Sequence, residues 1–169
     1  MTIAMPHPFQ RGLRAPLLAA PLLAGILLSA CGNESPRPAA AAPAPQTATL
    51  QTGDVTIRAN AMQTSTLGPA VAQQYGIARD DHRVMLLVGV RQGTEAEEVS
   101  VPARVSVSVT DLRGQRHAMP MRELRSGELL DYVGTVEVSL PDTLRFDLSI
   151  VRADGRTSTM QFSREFYPR

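Results

Sequence analysis

The chain has 169 residues, a formal net charge of +1, 43% hydrophobic residues and one cysteine. A single cysteine excludes an intramolecular disulfide framework, and so even a charge balance gives no support for a nucleic-acid partner. Its 17 basic residues are all Arg, and setting aside Arg11 and Arg14, which belong to the leader read below, leaves 15 Arg facing 16 acidic residues, a charge near −1.

Arg11 and Arg14 precede an apolar run over residues 16–28, the charged and hydrophobic regions of a signal peptide. The run is shorter than the about 20 residues that a membrane span needs. Leu28-Ser29-Ala30-Cys31 follows at once and resembles a bacterial lipobox. Residues 1–30 are therefore expected to be removed, leaving Cys31 as the acylated first residue of a protein that is anchored to a membrane without spanning it. Several acyl chains hold a protein stably where one holds it only marginally. Gly32, where an inner-membrane retention signal often has Asp, resembles the sorting pattern for the outer membrane, with the protein facing the periplasm. Residues 31–49 read as a tether rich in Ala and Pro. Pro38 and Pro43 bracket four alanines too short to persist as a helix, and an extended polyproline-like chain would reach roughly 50 Å.

Residues 50–169 are one domain by length, large enough to fold without metal or disulfide help. Residues 54–62 alternate, with Val55, Ile57, Ala59 and Ala61 on one face, and predict a strand. Pro69 suits a first helical position and Gly76 a left-handed cap, which predicts two helical turns between them with Val71 and Tyr75 packed on a sheet. Residues 82–91 are apolar on both faces, as in a central strand. Glu95, Glu97 and Glu98 read as a solvated loop. Residues 101–112 carry the clearest alternation, Ala103, Val105, Val107 and Val109 against Arg104, Ser106, Ser108 and Thr110, and turn at Asp111–Gly114. Residues 132–138 form another strand. Residues 144–151 and 157–166 flank Asp154-Gly155, a strong hairpin signal, with Phe146, Leu148 and Ile150 meeting Met160 and Phe162. At least five strands and one short helix predict an all-β fold, an immunoglobulin-like β-sandwich, with a small barrel as the alternative.

The stretch from Thr66 to Ile77, the pair Gly134-Thr135, the run from Leu140 to Phe146 and the closing run from Phe162 to Pro168 resemble a bacterial family known as domain of unknown function 4426. The likeness spans roughly residues 50–168. It implies secreted or lipid-anchored proteins and supplies no activity and no catalytic residue.

Chemistry-bearing motifs are few. A Gly-x-Ser-x-Gly elbow, a phosphate loop and paired zinc cysteines are all missing, so no cofactor is expected. His82 follows Asp80-Asp81, which would orient an imidazole, but it also begins a strand. Glu123, Glu128 and Asp131 share one polar segment and would matter for acid–base chemistry only if they converge. If the chain is extended, His117, Met119 and Met121 share one side, a soft donor set suited to Cu(I), whereas Met is also an adaptable packing residue. The segment 112–130 lacks a clean period, reads as a functional loop or as containing an irregular edge strand, and carries Arg113, Arg116, Arg122 and Arg125, candidates for a partner surface as well as for a solvated, salt-bridged loop. The leading function is a non-enzymatic envelope module that binds another envelope protein or serves a structural role. The alternatives are a hydrolase-like enzyme with a site built from distant residues and a periplasmic copper-binding protein. A concave pocket joining His82 or His117 to a carboxylate and a serine would point to the enzyme, and an apolar groove to the binding module.

Overall fold

A computed structural model describes residues 47–169. The expected signal peptide, Cys31 and most of the tether lie outside the described residues. The chain enters through β1 (Ala48–Thr52), which starts two residues ahead of the expected domain start and pairs antiparallel with β2 (Val55–Gln63). Alternation in β2 does what the sequence predicts, for Val55, Ile57, Ala59 and Ala61 are all buried. A 3-10 turn at Thr64–Thr66 leads into helix α1 (Pro69–Tyr75), which Gly76 ends in the left-handed conformation at φ 61°. The chain then forms β3 (Arg83–Gln92), β4 (Val99–Ser100), β5 (Ala103–Thr110), β6 (Arg116–Met119), β7 (Arg122–Ser126), β8 (Leu129–Glu137), β9 (Asp142–Arg152) and β10 (Thr157–Phe166).

These strands make two antiparallel sheets. One has the order β1-β2-β3-β8-β7, with β4 pairing to the end of β3; the other has the order β10-β9-β5-β6. Their inner faces share one apolar core, to which β2, β3 and β8 contribute from one side and β5 and β9 from the other. Burying each Val, Leu or Ile there stabilises the fold by about 1.5–3 kcal/mol relative to exposure. Tyr132 satisfies its buried hydroxyl by accepting a hydrogen bond from Ala103 N at 2.7 Å, which links the two sheets. The β9–β10 hairpin turns at Asp154-Gly155 as expected and places Phe146 opposite Phe162, their rings stacked with centroids 5.0 Å apart.

The two-sided apolarity of β3 has a direct cause. Val84, Leu86, Val88 and Val90 face the shared core, whereas Met85 and Leu87 face a smaller cluster with Leu67, Ala72, Tyr75, Ile77 and Val133 beneath α1. One expectation is corrected here. Val71 is 39% exposed, and Ala72 takes the buried position, because only one side of so short a helix meets the sheet.

Short strands lie beside or within two stretches that lack a clean strand period. Glu95, Glu97 and Glu98 lie in a loop as expected, with β4 directly after it, but Glu98 is not simply solvated: it receives a two-pronged interaction from Arg58, both contacts at 2.8 Å. The hydrogen bond to Arg58 lowers the Glu98 carboxyl below its ordinary value, and the same bond raises the Arg58 guanidinium. Segment 112–130 contains β6 and β7, edge strands of different sheets, so it carries the chain from one sheet to the other through Pro120 and Met121.

Candidate functional site

The geometry of this crossing creates the most distinctive concavity among the described residues. Strand β8 pairs with β3 along residues 131–137 but with β7 only along 129–133. Beyond Val133 the β7 side of β8 has no strand opposite it among the described residues, because the chain ahead of Arg122 has left for the other sheet. A cleft of about 300 Å³ occupies this notch, lined by Gly76, Ile77, Ala78, Arg83, Pro120, Met121, Arg122, Val133, Gly134 and Thr135. The volume lies at the small end of the about 300–1,000 Å³ typical of ligand sites. The lining mixes apolar side chains, Ile77, Pro120, Met121 and Val133, with Thr135 and two arginines, and holds no acid.

Each wall follows from local sequence. Gly76 stops α1 and lets Ile77 turn back onto the sheet, where Ile77 N donates to Ala72 O at 2.9 Å. Arg122 donates to the carbonyl of Tyr75, one of the acceptors left without a helical partner at a helix C-terminus. Arg83 donates to Glu137 Oε1 at 3.1 Å across the β3–β8 pair, and that glutamate is 83% exposed. Gly134 lets the β6–β7 crossing pass close. A Cβ at this position would lie 2.5 Å from Met121 Sδ, 2.6 Å from Pro120 O and 2.9 Å from Met119 Cγ.

A second cleft, of about 350 Å³, adjoins the same end of β8 and is lined by Asp80, His82, Glu137, Val138 and Ser139. It brings His82 near carboxylates and a serine, the combination that would point to an enzyme. Both acids have other bonds: Asp80 Oδ1 accepts from His82 N at 2.7 Å, and Glu137 holds Arg83. Among the described residues no carboxylate is bonded to the imidazole to orient it.

The remaining sequence candidates are dispersed. His117 is exposed on β6, Met119 is buried in the shared core, and Met121 is half-buried in the first cleft. No group of three or more His, Cys, Asp or Glu suited to a metal occurs among the described residues. Glu123, Glu128 and Asp131 do not form one cluster: Asp131 pairs with Arg91 at 2.5 Å, Glu123 pairs with Arg125 at 3.0 Å, and Glu128 is exposed in the β7–β8 turn. The four arginines divide between sheets. Arg113 and Arg116 sit at the β5–β6 turn, with Arg116 donating to Ser108 Oγ, whereas Arg122 and Arg125 lie on β7. Of the four, Arg122 lines the first cleft. Sequence reasoning did not find Arg83, Ile77 or Thr135 as neighbours of Arg122. Gly134 was the available signal, since a glycine inside a strand often marks close approach of another backbone.

A family model described as "Domain of unknown function (DUF4426)" matches residues 49–169. The chain belongs to the DUF4426 family. A crystal structure of a DUF4426 family protein from Pseudomonas aeruginosa is similar to it, with TM-score 0.62, 22% identity, and coverage of 73% of this chain and 96% of that one. A copper-bound variant of FetP from uropathogenic Escherichia coli strain F11 gives TM-score 0.49 and 9% identity over 72% of this chain and 95% of that one. FetP of the same strain as isolated gives 0.46 and 11% over 73% and 93%. Likeness at the FetP level says nothing of metal binding in the DUF4426 chain. The chain matches no curated protein.

The segments that resemble DUF4426 have clear places in this fold. Leu67, Ala72, Tyr75 and Ile77 build the outer cluster, and Gly134 and Thr135 line the cleft. Asp142 is buried and accepts from Leu112 N and Thr143 N. In the closing segment Phe166 is buried, and Gln63 Nε2 donates to Tyr167 O at 3.0 Å, fixing the chain end against β2.

Proposed function

We propose that this DUF4426 protein is a non-enzymatic binding module of the bacterial envelope, lipid-anchored through Cys31 at the outer membrane, which presents the cleft beside β8 to another envelope component. The lipobox-like Leu28-Ser29-Ala30-Cys31 and the Pro-rich tether support the anchoring. The observation that carries the binding role is the cleft itself, apolar side chains set beside two arginines with no acid, formed where β7 stops covering β8. Convergent polar groups around an apolar concavity are the usual form of a recognition site.

The scaffold of this proposal is an immunoglobulin-like sandwich. Strand orders β2-β3-β8-β7 and β6-β5-β9-β10 correspond to the A-B-E-D and C′-C-F-G orders of that fold, with β1 added at the edge. Such scaffolds hold binding surfaces without fixing what is bound.

A photo-reactive phenylalanine analogue at Ala78, an exposed cleft residue, tests the reading in intact envelopes. A discrete cross-linked product is expected from position 78 and not from Thr159, exposed on β10. The Cys31→Ala form should lose acylation and leave the membrane fraction. Equal products from positions 78 and 159 would count against the cleft. Normal processing and membrane retention of Cys31→Ala would count against the anchor.

A further inference from the structure

The open edge of β8 has a chemistry that defines what fits it. Val138 N donates to His82 O at 2.8 Å, toward the β3 side. In an antiparallel ladder successive residues direct their N–H and C=O groups to opposite sides. Val136 and Gly134 therefore also bond toward β3, whereas Thr135 and Glu137 direct both backbone groups the other way. Val133 and Asp131 share that second orientation and meet Arg122 and Leu124 of β7. At Thr135 and Glu137 the ladder has no partner among the described residues, and the cleft lies against that edge.

The cleft's outer side sets two arginines beside the apolar Ile77 and Val133, and its inner side is formed by Met121. Arg83 and Arg122 share the sheet's outer face with Val133 and Leu124, beneath the end of α1. Met121 packs against the shared core on the inner side. Side chains along a strand alternate between such sides. An extended segment with acids at one set of alternate positions and apolar residues at the other would match both walls while pairing with Thr135 and Glu137.

We propose that β8 accepts an acidic extended peptide by strand addition, taking the place beside residues 135–137 that β7 leaves open. The inference rests on the cleft being the binding site. The added strand donates to and accepts from the backbone of Thr135 and Glu137; its carboxylates meet Arg83 and Arg122, and its apolar side chains lie on Met121. This recognition mode draws affinity from main-chain hydrogen bonds and selectivity from side-chain pockets. Glu137, the present partner of Arg83, competes with the incoming carboxylate.

The test uses the full chain in detergent, labelled for amide NMR, with a capped hexapeptide of alternating valine and glutamate as probe. Shifts are expected at Thr135, Glu137 and Arg122. Affinity should fall about fivefold when the peptide glutamates become glutamine or Arg83→Gln is made, and rise about twofold in Glu137→Gln. Thr135→Pro removes an N–H that does not bond to β3, so it should abolish binding while leaving the β3 ladder paired. The proposal is overturned by absence of these shifts, by equal affinity for the glutamine peptide, or by binding that survives in a folded Thr135→Pro variant. A position-78 cross-link in envelopes alongside a silent peptide leaves the cleft as the site and removes only the acidic strand; loss of both removes both.

Discussion

Replacing Phe146 with Ala is expected to lower the unfolding free energy by about 4 kcal/mol, within the range for removing a buried aromatic ring. Phe146 is fully buried on β9 and heads the fully buried side chains in volume. Its ring stacks on Phe162 of β10 at an interplanar angle of 17°, and its strand neighbour Val109 on β5 is also buried. Truncation would leave a cavity between the sheets where neither sheet can close without disturbing strand pairing on both sides of β9. Urea unfolding should show a lower midpoint at an unchanged slope, since the surface exposed on unfolding hardly alters. Phe162→Ala should cost less, because that ring is only half-buried. A Phe146→Ala loss under about 1 kcal/mol would contradict the shared core described above.

Gly134→Ala should cost about 3 kcal/mol, the upper part of the overpacking range. The added methyl would meet a backbone oxygen, Pro120 O, at 2.6 Å, along with two methionine side chains. Met121 and Met119 can change rotamer, but the Pro120 carbonyl moves only if the β6–β7 crossing shifts. The melting temperature should fall by roughly 10 °C for a domain of this size. Gly127→Ala would be a poor comparison, since Gly127 has φ 60°, where alanine would add backbone strain of its own. Gly68→Ala is the better control: nothing lies within 4 Å of its Cβ position. Equal melting temperatures for Gly134→Ala and Gly68→Ala would refute the close crossing.

Much of the scaffold is legible because the shared core imposes period two. Val105, Val107 and Val109 alternate with polar neighbours since one face of β5 is buried and the other is not. The run at Val84–Val88 breaks that period because α1 covers its second face. Asp154-Gly155 marks its hairpin through backbone geometry, with Gly155 at φ 79°. Strands β6 and β7 escape the same reasoning. They are four and five residues long, lie at sheet edges and present Arg116, Arg122 and Arg125 to solvent, so burial imposes little pattern on them. Strand β1 is hidden for a similar reason, with Leu50 half-buried between exposed Thr49 and Gln51.

The site is harder to see than the fold. Arg122 and Met121 can be singled out by composition, but nothing in the sequence says that Ile77, Arg83 and Thr135 stand beside them. That proximity comes from where β7 stops pairing with β8, a tertiary event. It also separates Arg122 from Arg113 and Arg116, which sequence proximity groups together.

Amide hydrogen exchange of the free protein along β8 tests most directly whether the cleft is an open sheet edge. Gly134 and Val136, bonded toward β3, should be protected with the core, while Thr135 and Glu137 should exchange rapidly because no described residue pairs with their N–H groups. Slow exchange at all four positions would mean that the edge is already covered and would contradict the site.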